Sequence, residues 1–300
     1  KTGEKKTAHV LDMTEGNPYS LMLRFTMPVL LSQVFQQLYN TADAFIVGRY
    51  LGTNALAAVT SSGNLIFLMV SFFMGLGMGG GVVISRYFGA KDEKQVSRSV
   101  HTMMAFGLVF GLLLTVIGVA FTPTFLVWMR TDPEVMPEAV AYFRYYFLGA
   151  LAVVMYNVCC SIMNAVGNSK RPLYYLIFSS LVNIVLDLLL IISFKMGVAG
   201  AALATVISQG VSGILCLVYI IRKVPLLRLK KEDWLPDGHL ARIQMGIGFP
   251  MALQYSITAV GTMMMQSSLN LLGSMSVAAF TAASKIEQVV TQAYVALGTT

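Results

Sequence analysis

Eight long apolar runs, separated by short polar connections, make up almost the whole sequence. Each run is close to the roughly 20 apolar residues that a helix needs to cross the core of a bilayer. Only 12% of the residues are charged, whereas a soluble domain carries roughly 25%. The sequence therefore predicts an all-α, multi-pass membrane protein. The predicted spans are 22–48, 55–85, 97–121, 138–165, 172–194, 198–222, 243–271 and 277–300.

The lysines and arginines predict how these spans are oriented. Sixteen of them lie in the N-terminal leader and the even-numbered connections, and only Arg49, Arg130 and Lys195 lie in the odd-numbered ones. By the positive-inside rule, the N-terminus and the even-numbered connections are cytoplasmic and the protein lies in the plasma (inner) membrane. The basic residues form no single patch, so the net charge of +7 indicates topology and membrane lipids rather than nucleic acid.

An internal repeat predicts the domain organisation. The segment TMP at 26–28 resembles GFP at 248–250, and YLGTNALAA at 50–58 resembles LLGSMSVAA at 271–279. An even number of spans separates the copies, so both should have the same orientation in the membrane. Because the second copy stops in its second helix, we expect about two thirds of a protein of twelve spans in two six-helix lobes. The predicted parts are a cytoplasmic leader (1–20), an N-terminal lobe (21–222), a cytoplasmic linker (223–242) and the start of a C-terminal lobe (243–300).

Polar side chains follow one face of the first predicted span. At helical spacing, the stripe contains Gln36, Tyr39, Asn40 and Asp43. A carboxylate is costly in hydrocarbon, so this face must contact protein or water, and an ionisable residue in such a place is a functional hypothesis. The stripe could line a cavity for a substrate, together with Asn157 of the fourth span, or these side chains could simply bond to neighbouring helices.

Four stretches of the chain together resemble one family of membrane transporters. They are ADAFIVG at 42–48, ISRYFGAKD at 84–92, NAVGNSKRP at 164–172 and GVAGAALATVIS at 197–208. They are similar to the corresponding parts of MATE (multidrug and toxic compound extrusion) transporters. The resemblance implies two six-helix lobes, alternating access, and export of organic cations coupled to inward Na⁺ or H⁺. In one branch of that family the N-terminal lobe binds the ion, and the matching positions here are Asp43, Asn183, Asp187 and Thr205.

The chemistry of these residues agrees with that implied role. Asn183 and Asp187 are one helical turn apart in an apolar run, so they share a face. Asp43 and Asp187 have no obvious basic partner in the sequence, and two such carboxylates cannot both stay ionised cheaply when buried. Either a cation lies between them or one of them carries a proton. The alternatives are that the acids anchor neighbouring helices, and that Asn183 and Thr205 only join helices.

Three classes of function compete for this sequence. The first is a drug and cation antiporter acting as a monomer, with no cofactor unless Na⁺ is the coupling ion. The second is a flippase for a lipid-linked saccharide or a peptidoglycan precursor, which would need several basic residues in the cavity to bind a pyrophosphate. The third is an enzyme, which we do not expect, because the predicted spans contain no catalytic triad and no cluster of metal ligands.

Overall fold

The computed structural model describes residues 16–128, 131, 133–224, 237–270, 287, 290–292 and 296–298. Within these residues the chain forms helices joined by short turns, as the apolar runs predict. The helices are α1 (Pro18–Leu51), α2 (Thr53–Gly89), α3 (Glu93–Trp128), α4 (Met136–Leu148), α5 (Ala150–Ala165), α6 (Lys170–Leu188), α7 (Val198–Lys223) and α8 (Gly238–Asn270). A π-helical turn at Leu189–Ser193 continues α6.

The fourth predicted span is not one straight helix. It breaks at Gly149, and α4 and α5 meet at an angle of 51°. The break depends on a neighbour that is distant in the sequence, because a Cβ atom on Gly149 would overlap the side chain of Val206 in α7. Only glycine allows the two chains to approach this closely. The periodicity of the fourth span alone gave no sign of the bend.

The seventh predicted span begins earlier than expected. Helix α8 starts at Gly238, inside the segment 223–242 that was predicted as a linker, because Asp237 caps it. The Asp237 Oδ1 atom accepts the backbone N–H groups of His239 at 2.9 Å and Leu240 at 3.4 Å, which is the usual chemistry of a helix start. Most of the linker, most of the eighth predicted span and residues 1–15 of the leader lie outside the described residues.

Among the described residues, four helices are long and apolar enough to cross a membrane, or five if the bent pair of α4 and α5 is counted as one span. Helices α1 and α8 correspond to the first and seventh predicted spans but fall below this level of hydropathy. Polar side chains cause the difference in α1, where they occupy a stretch of consecutive turns. These side chains are Gln33, Gln36, Gln37, Asn40 and Asp43.

The interior of the bundle is apolar and so is much of its outer surface. Phe143 and Phe147 of α4 are fully buried in the apolar core, where Phe147 lies at Gly118 of α3. Along α3, the outward-facing side chains are large and apolar, including Val109 and Val116. A soluble protein would not expose such a continuous apolar surface, whereas a helix bundle in lipid requires one. This surface agrees with the predicted multi-pass membrane fold.

Helix α8 packs along α2 at a crossing made by small residues. A Cβ atom on Gly75 would overlap the backbone of Ala252, and one on Gly79 would overlap the backbone of Gly248. Near the same end, the Nε2 atom of Gln244 donates to the carbonyl oxygen of Ser99 at 2.9 Å. The small residues therefore allow the backbones of α2 and α8 to approach closely.

The orientation predicted from the charge bias can be tested by labelling single cysteines. Lys94 lies at the start of α3 and Asn54 at the start of α2, on opposite sides of the bundle, and both are exposed. With the native cysteines replaced, a membrane-impermeant thiol reagent applied to intact cells should label Asn54→Cys and not Lys94→Cys. After permeabilisation it should label both. Labelling of Lys94→Cys in intact cells would reverse the predicted topology.

Candidate functional site

Helices α1, α4, α6 and α7 enclose a set of polar side chains in the otherwise apolar bundle, here called the polar cluster. Each member is 8% exposed or less. Burying this many polar groups is costly unless they bond to one another or to a ligand, so the cluster is the first candidate for a functional site. Its members are Tyr39, Asp43, Tyr142, Asn183, Asp187, Thr205 and Gln209.

Two acids lie at the centre of the polar cluster. The carboxyl groups of Asp43 and Asp187 lie close enough to interact with each other. Two ionised carboxylates this close repel each other, so the pair favours one shared proton or a cation held between the two groups. The Oδ1 atom of each acid is buried without a hydrogen-bond partner. Within the described part of the chain, neither acid forms an ion pair.

Asn183 holds one of these acids in position. With its amide oriented so that both ends are satisfied, Nδ2 donates to Oδ2 of Asp187 at 3.2 Å and Oδ1 accepts the backbone N–H of Thr205 at 3.3 Å. The Thr205 hydroxyl donates to the carbonyl oxygen of Ala201 at 3.1 Å. Asn183 therefore joins α6 to α7 and offers its N–H group, rather than its oxygen, to the carboxyl pair.

Aromatic side chains close the polar cluster on the side of α4. Tyr39 precedes Asp43 by one turn of α1, and its hydroxyl lies near the side chain of Gln209. The ring of Tyr142 stacks on that of Tyr146, with centroids 6.4 Å apart, and Tyr142 lies close to Asp43. The Oε1 atom of Gln209 is buried without a hydrogen-bond partner. The cluster therefore combines acids with phenols and amides, a set suited to binding a cation or a proton.

The structure brings together some of the predicted site residues and separates others. Asp43, Asn183, Asp187 and Thr205 all lie in the polar cluster, and so does Tyr39. The predicted substrate-binding residues Gln36, Asn40 and Asn157 lie outside it, as the following paragraph describes.

The stripe predicted on the first span is divided by helix geometry. At 100° per residue, Asp43 lies about 40° from Tyr39 around α1, whereas Asn40 lies about 100° away. Tyr39 and Asp43 consequently point inward, Asn40 is exposed and Gln36 is half-buried. Asn157 is also half-buried, and its Nδ2 atom donates to the carbonyl oxygen of Val153 in its own helix at 2.8 Å.

Two members of the polar cluster were not predicted from the sequence. Gln209 follows Thr205 by one turn of α7, the same spacing that separates Asn183 from Asp187. Applying that spacing to Thr205 identifies Gln209 as a residue on the same helical face. Tyr142 lies near the outer end of the fourth predicted span, where an aromatic side chain is common at a membrane interface. Its inward position depends on the packing of α4 against α3 and α7, which the periodicity of one span does not specify.

Comparisons with known proteins identify the family to which this chain is similar. The family model described as MatE matches residues 28–189. The chain is 28% identical over 290 residues to "Probable multidrug resistance protein YpnP" of Bacillus subtilis (strain 168), covering 96% of this chain and 64% of that protein. It is 32% identical over 284 residues to "Probable multidrug resistance protein YoeA" of the same strain, covering 92% of this chain and 61% of that protein.

A solved structure gives the same fold. It is described as an outward-facing conformation of a multidrug resistance MATE family transporter of the MOP superfamily, and it superposes with a TM-score of 0.89 at 25% identity. The match covers 98% of this chain and 66% of that one. The chain also spans only about three fifths of the length of the two Bacillus relatives. All three similar proteins are described as resistance proteins or transporters and none as an enzyme.

Proposed function

Since this chain belongs to the MATE family of transporters, we propose that the whole protein is a secondary active antiporter that exports amphipathic organic cations and drugs in exchange for an inward-moving cation. The relatives are named for multidrug resistance, which supports a drug as the exported substrate. The chain spans 61% and 64% of their lengths, so this activity is proposed for the full-length protein.

The burial of Asp43 and Asp187 beside each other carries the proposal. A buried acid pair without a basic partner changes its charge when a cation binds, and that change is the basis of ion coupling. The pair belongs to α1 and α6, both in the predicted N-terminal lobe. Coupling is therefore proposed for that lobe.

We propose that the coupling ion is H⁺. Two neighbouring buried carboxyl groups without a basic partner favour sharing one proton. Na⁺ would need several oxygen ligands around it, whereas the amide of Asn183, when oriented so that both of its ends are satisfied, offers N–H to Asp187 and uses its oxygen on the Thr205 backbone. The Thr205 hydroxyl donates its hydrogen to the carbonyl oxygen of Ala201, and the lone pairs of the hydroxyl oxygen stay free. Na⁺ remains the alternative that the experiment below distinguishes.

The exchange follows from how proton binding changes the polar cluster. A ligand shifts a conformational equilibrium only if it binds the two conformations with different affinity. Protonation of Asp43 or Asp187 removes a buried negative charge, so a conformation in which the acids are close and dry favours the protonated pair. Release of that proton restores the charge, which favours a conformation open to water or to a cationic substrate.

The acid pair also supports a cationic molecule as the exported substrate. Two carboxyl groups without a basic partner attract cations, and the neighbouring phenol rings of Tyr39 and Tyr142 can contact a cationic, amphipathic molecule through their faces. A flippase would instead need basic side chains for a pyrophosphate. The polar cluster contains neither lysine nor arginine. This composition favours the cation antiporter over the flippase.

The experiment uses the full-length protein in liposomes loaded with a cationic dye. A pH gradient and a Na⁺ gradient are imposed separately, each with the other ion equal on both sides. The proposal expects dye transport with the pH gradient alone, and its loss when a proton ionophore collapses that gradient. Transport that needs Na⁺ would overturn H⁺ as the coupling ion. Transport of an anionic lipid-linked sugar, with no transport of cations, would favour the flippase.

A further inference from the structure

Helix α6 presents an apolar face to its surroundings, opposite to the face that bears Asn183 and Asp187. Its exposed side chains recur every three or four residues and so form one continuous stripe. The stripe consists of Tyr174 (56% exposed), Phe178 (50%), Leu181 (61%) and Val185 (61%). From residue 174 to residue 185 it is about 17 Å long at 1.5 Å per residue, close to half of the roughly 30 Å apolar core of a bilayer. The stripe thus has the length of an acyl chain in one leaflet.

Basic side chains lie at the end of this stripe. Lys170 and Arg171 begin α6, and Arg222 and Lys223 end its neighbour α7. Lys170 continues the stripe, since it is exposed and lies one turn before Tyr174. Lys170, Arg222 and Lys223 are all exposed, and within the described residues none of the four forms an ion pair.

Aromatic contacts join the basic ends of the two helices. The guanidinium carbon of Arg171 lies 5.0 Å from the ring centroid of Tyr219, which precedes Arg222 by one turn of α7. The ring of Tyr219 meets that of Tyr175 edge to face, with centroids 6.3 Å apart. A cation held against an aromatic face keeps its outer N–H groups available. These contacts bring the cations of α6 next to those of α7.

We propose that these four cations bind the phosphate headgroup of an anionic phospholipid whose acyl chain lies along the α6 stripe. Arg171 offers a rigid set of N–H donors suited to a phosphate, and the other three side chains add charge around it. The stripe supplies the apolar surface that the chain of the same lipid needs. Head and tail are recognised by adjoining parts of one surface, and this distinguishes a bound phospholipid from free phosphate.

Charge balance distinguishes this site from other basic positions at the same end of the bundle. The turn between α2 and α3 contains Lys91 and Lys94, but Asp92 and Glu93 lie between them. By contrast, the sequence contains no acid between Glu138 and Asp187 or between Asp187 and Glu232. The α6–α7 site therefore combines unbalanced positive charge with an adjoining apolar stripe, whereas the α2–α3 turn has no net charge.

The test measures lipid retained by the purified full-length protein. Protein is reconstituted into nanodiscs of equal parts phosphatidylglycerol and phosphatidylcholine, extracted with mild detergent, and examined by native mass spectrometry. The wild-type protein should retain phosphatidylglycerol in preference to phosphatidylcholine. The variant Lys170→Gln/Arg171→Gln should lower that preference about tenfold, since it removes two positive charges that attract the anionic headgroup.

The matched control is Lys91→Gln/Lys94→Gln, which removes two cations from the same end of the bundle and should leave the preference unchanged. A second variant, Arg222→Gln/Lys223→Gln, tests the other half of the site without altering the start of α6, and it should also lower the preference. Equal losses in the site variants and the control would overturn the proposal in favour of general surface charge. A wild-type protein that retains the two lipids equally would also overturn it.

Discussion

Replacing Asp43 or Asp187 with asparagine should abolish gradient-driven efflux of a cationic dye while the full-length protein still folds and inserts. Asparagine keeps the size of the side chain and can hydrogen-bond to the remaining acid, so the packing of α1 against α6 is retained. The charge change on protonation is lost, and with it the difference in affinity that couples the ion to the conformation. The coupled rate should fall on the order of 100-fold, near the upper end of usual coupling free energies.

Three further variants make this series specific. Asn183→Ala and Thr205→Ala should reduce efflux less, because the first removes a neutral partner of Asp187 and the second a hydroxyl of the polar cluster, and both carboxyls stay in place. The matched control is Asp92→Asn, which removes one carboxylate outside the polar cluster. Asparagine can replace Asp92 as acceptor for the backbone N–H of Gln95, so normal efflux is expected. If Asp43→Asn and Asp187→Asn both kept normal efflux at normal expression, the coupling acid would have to be sought elsewhere in the protein.

The residues at the centre of the site are those that a sequence can identify. Asp43, Asn183 and Asp187 are conspicuous because each is polar within an apolar run, and the cost of burying such groups holds in any membrane fold. The same signal also included Gln36 and Asn40, which lie outside the polar cluster, because a stripe identified by helical spacing spans more of the helix than one neighbour can cover. Which part of the stripe is covered depends on where α6 and α7 lie.

Features set by contacts between distant segments were not predictable from the sequence. The bend at Gly149 depends on Val206 in α7, and the inward position of Tyr142 depends on the packing of α4 against α3 and α7. Periodicity describes one helix at a time, so it identifies a buried face without naming the partner. The helical membrane fold and the family were consequently accessible from the sequence, whereas the bend at Gly149 and the inward position of Tyr142 required the structure.

The crossing of α2 and α8 leads to the second large expected effect. Gly79→Ala places a methyl group where the backbone of Gly248 lies. Backbone cannot change rotamer to make room, so the helices must separate along their crossing. We expect a loss of about 1–3 kcal/mol in the free energy of unfolding, as is usual for overpacking. Thermal unfolding of the purified full-length protein measures this loss, and dye efflux should fall with it if the crossing joins the two lobes.

The direction of the expected change in stability identifies its cause. In a helix interior, replacing glycine with alanine normally stabilises by about 1 kcal/mol, so destabilisation must arise from packing against α8. Gly77 on the same helix provides the control, because a Cβ atom there would lie 4.0 Å from the nearest atom, Cε of Met103. Gly77→Ala should leave the unfolding temperature unchanged or raise it. If Gly79→Ala unfolded at the same temperature as Gly77→Ala, the α2–α8 crossing would be looser than the structure requires.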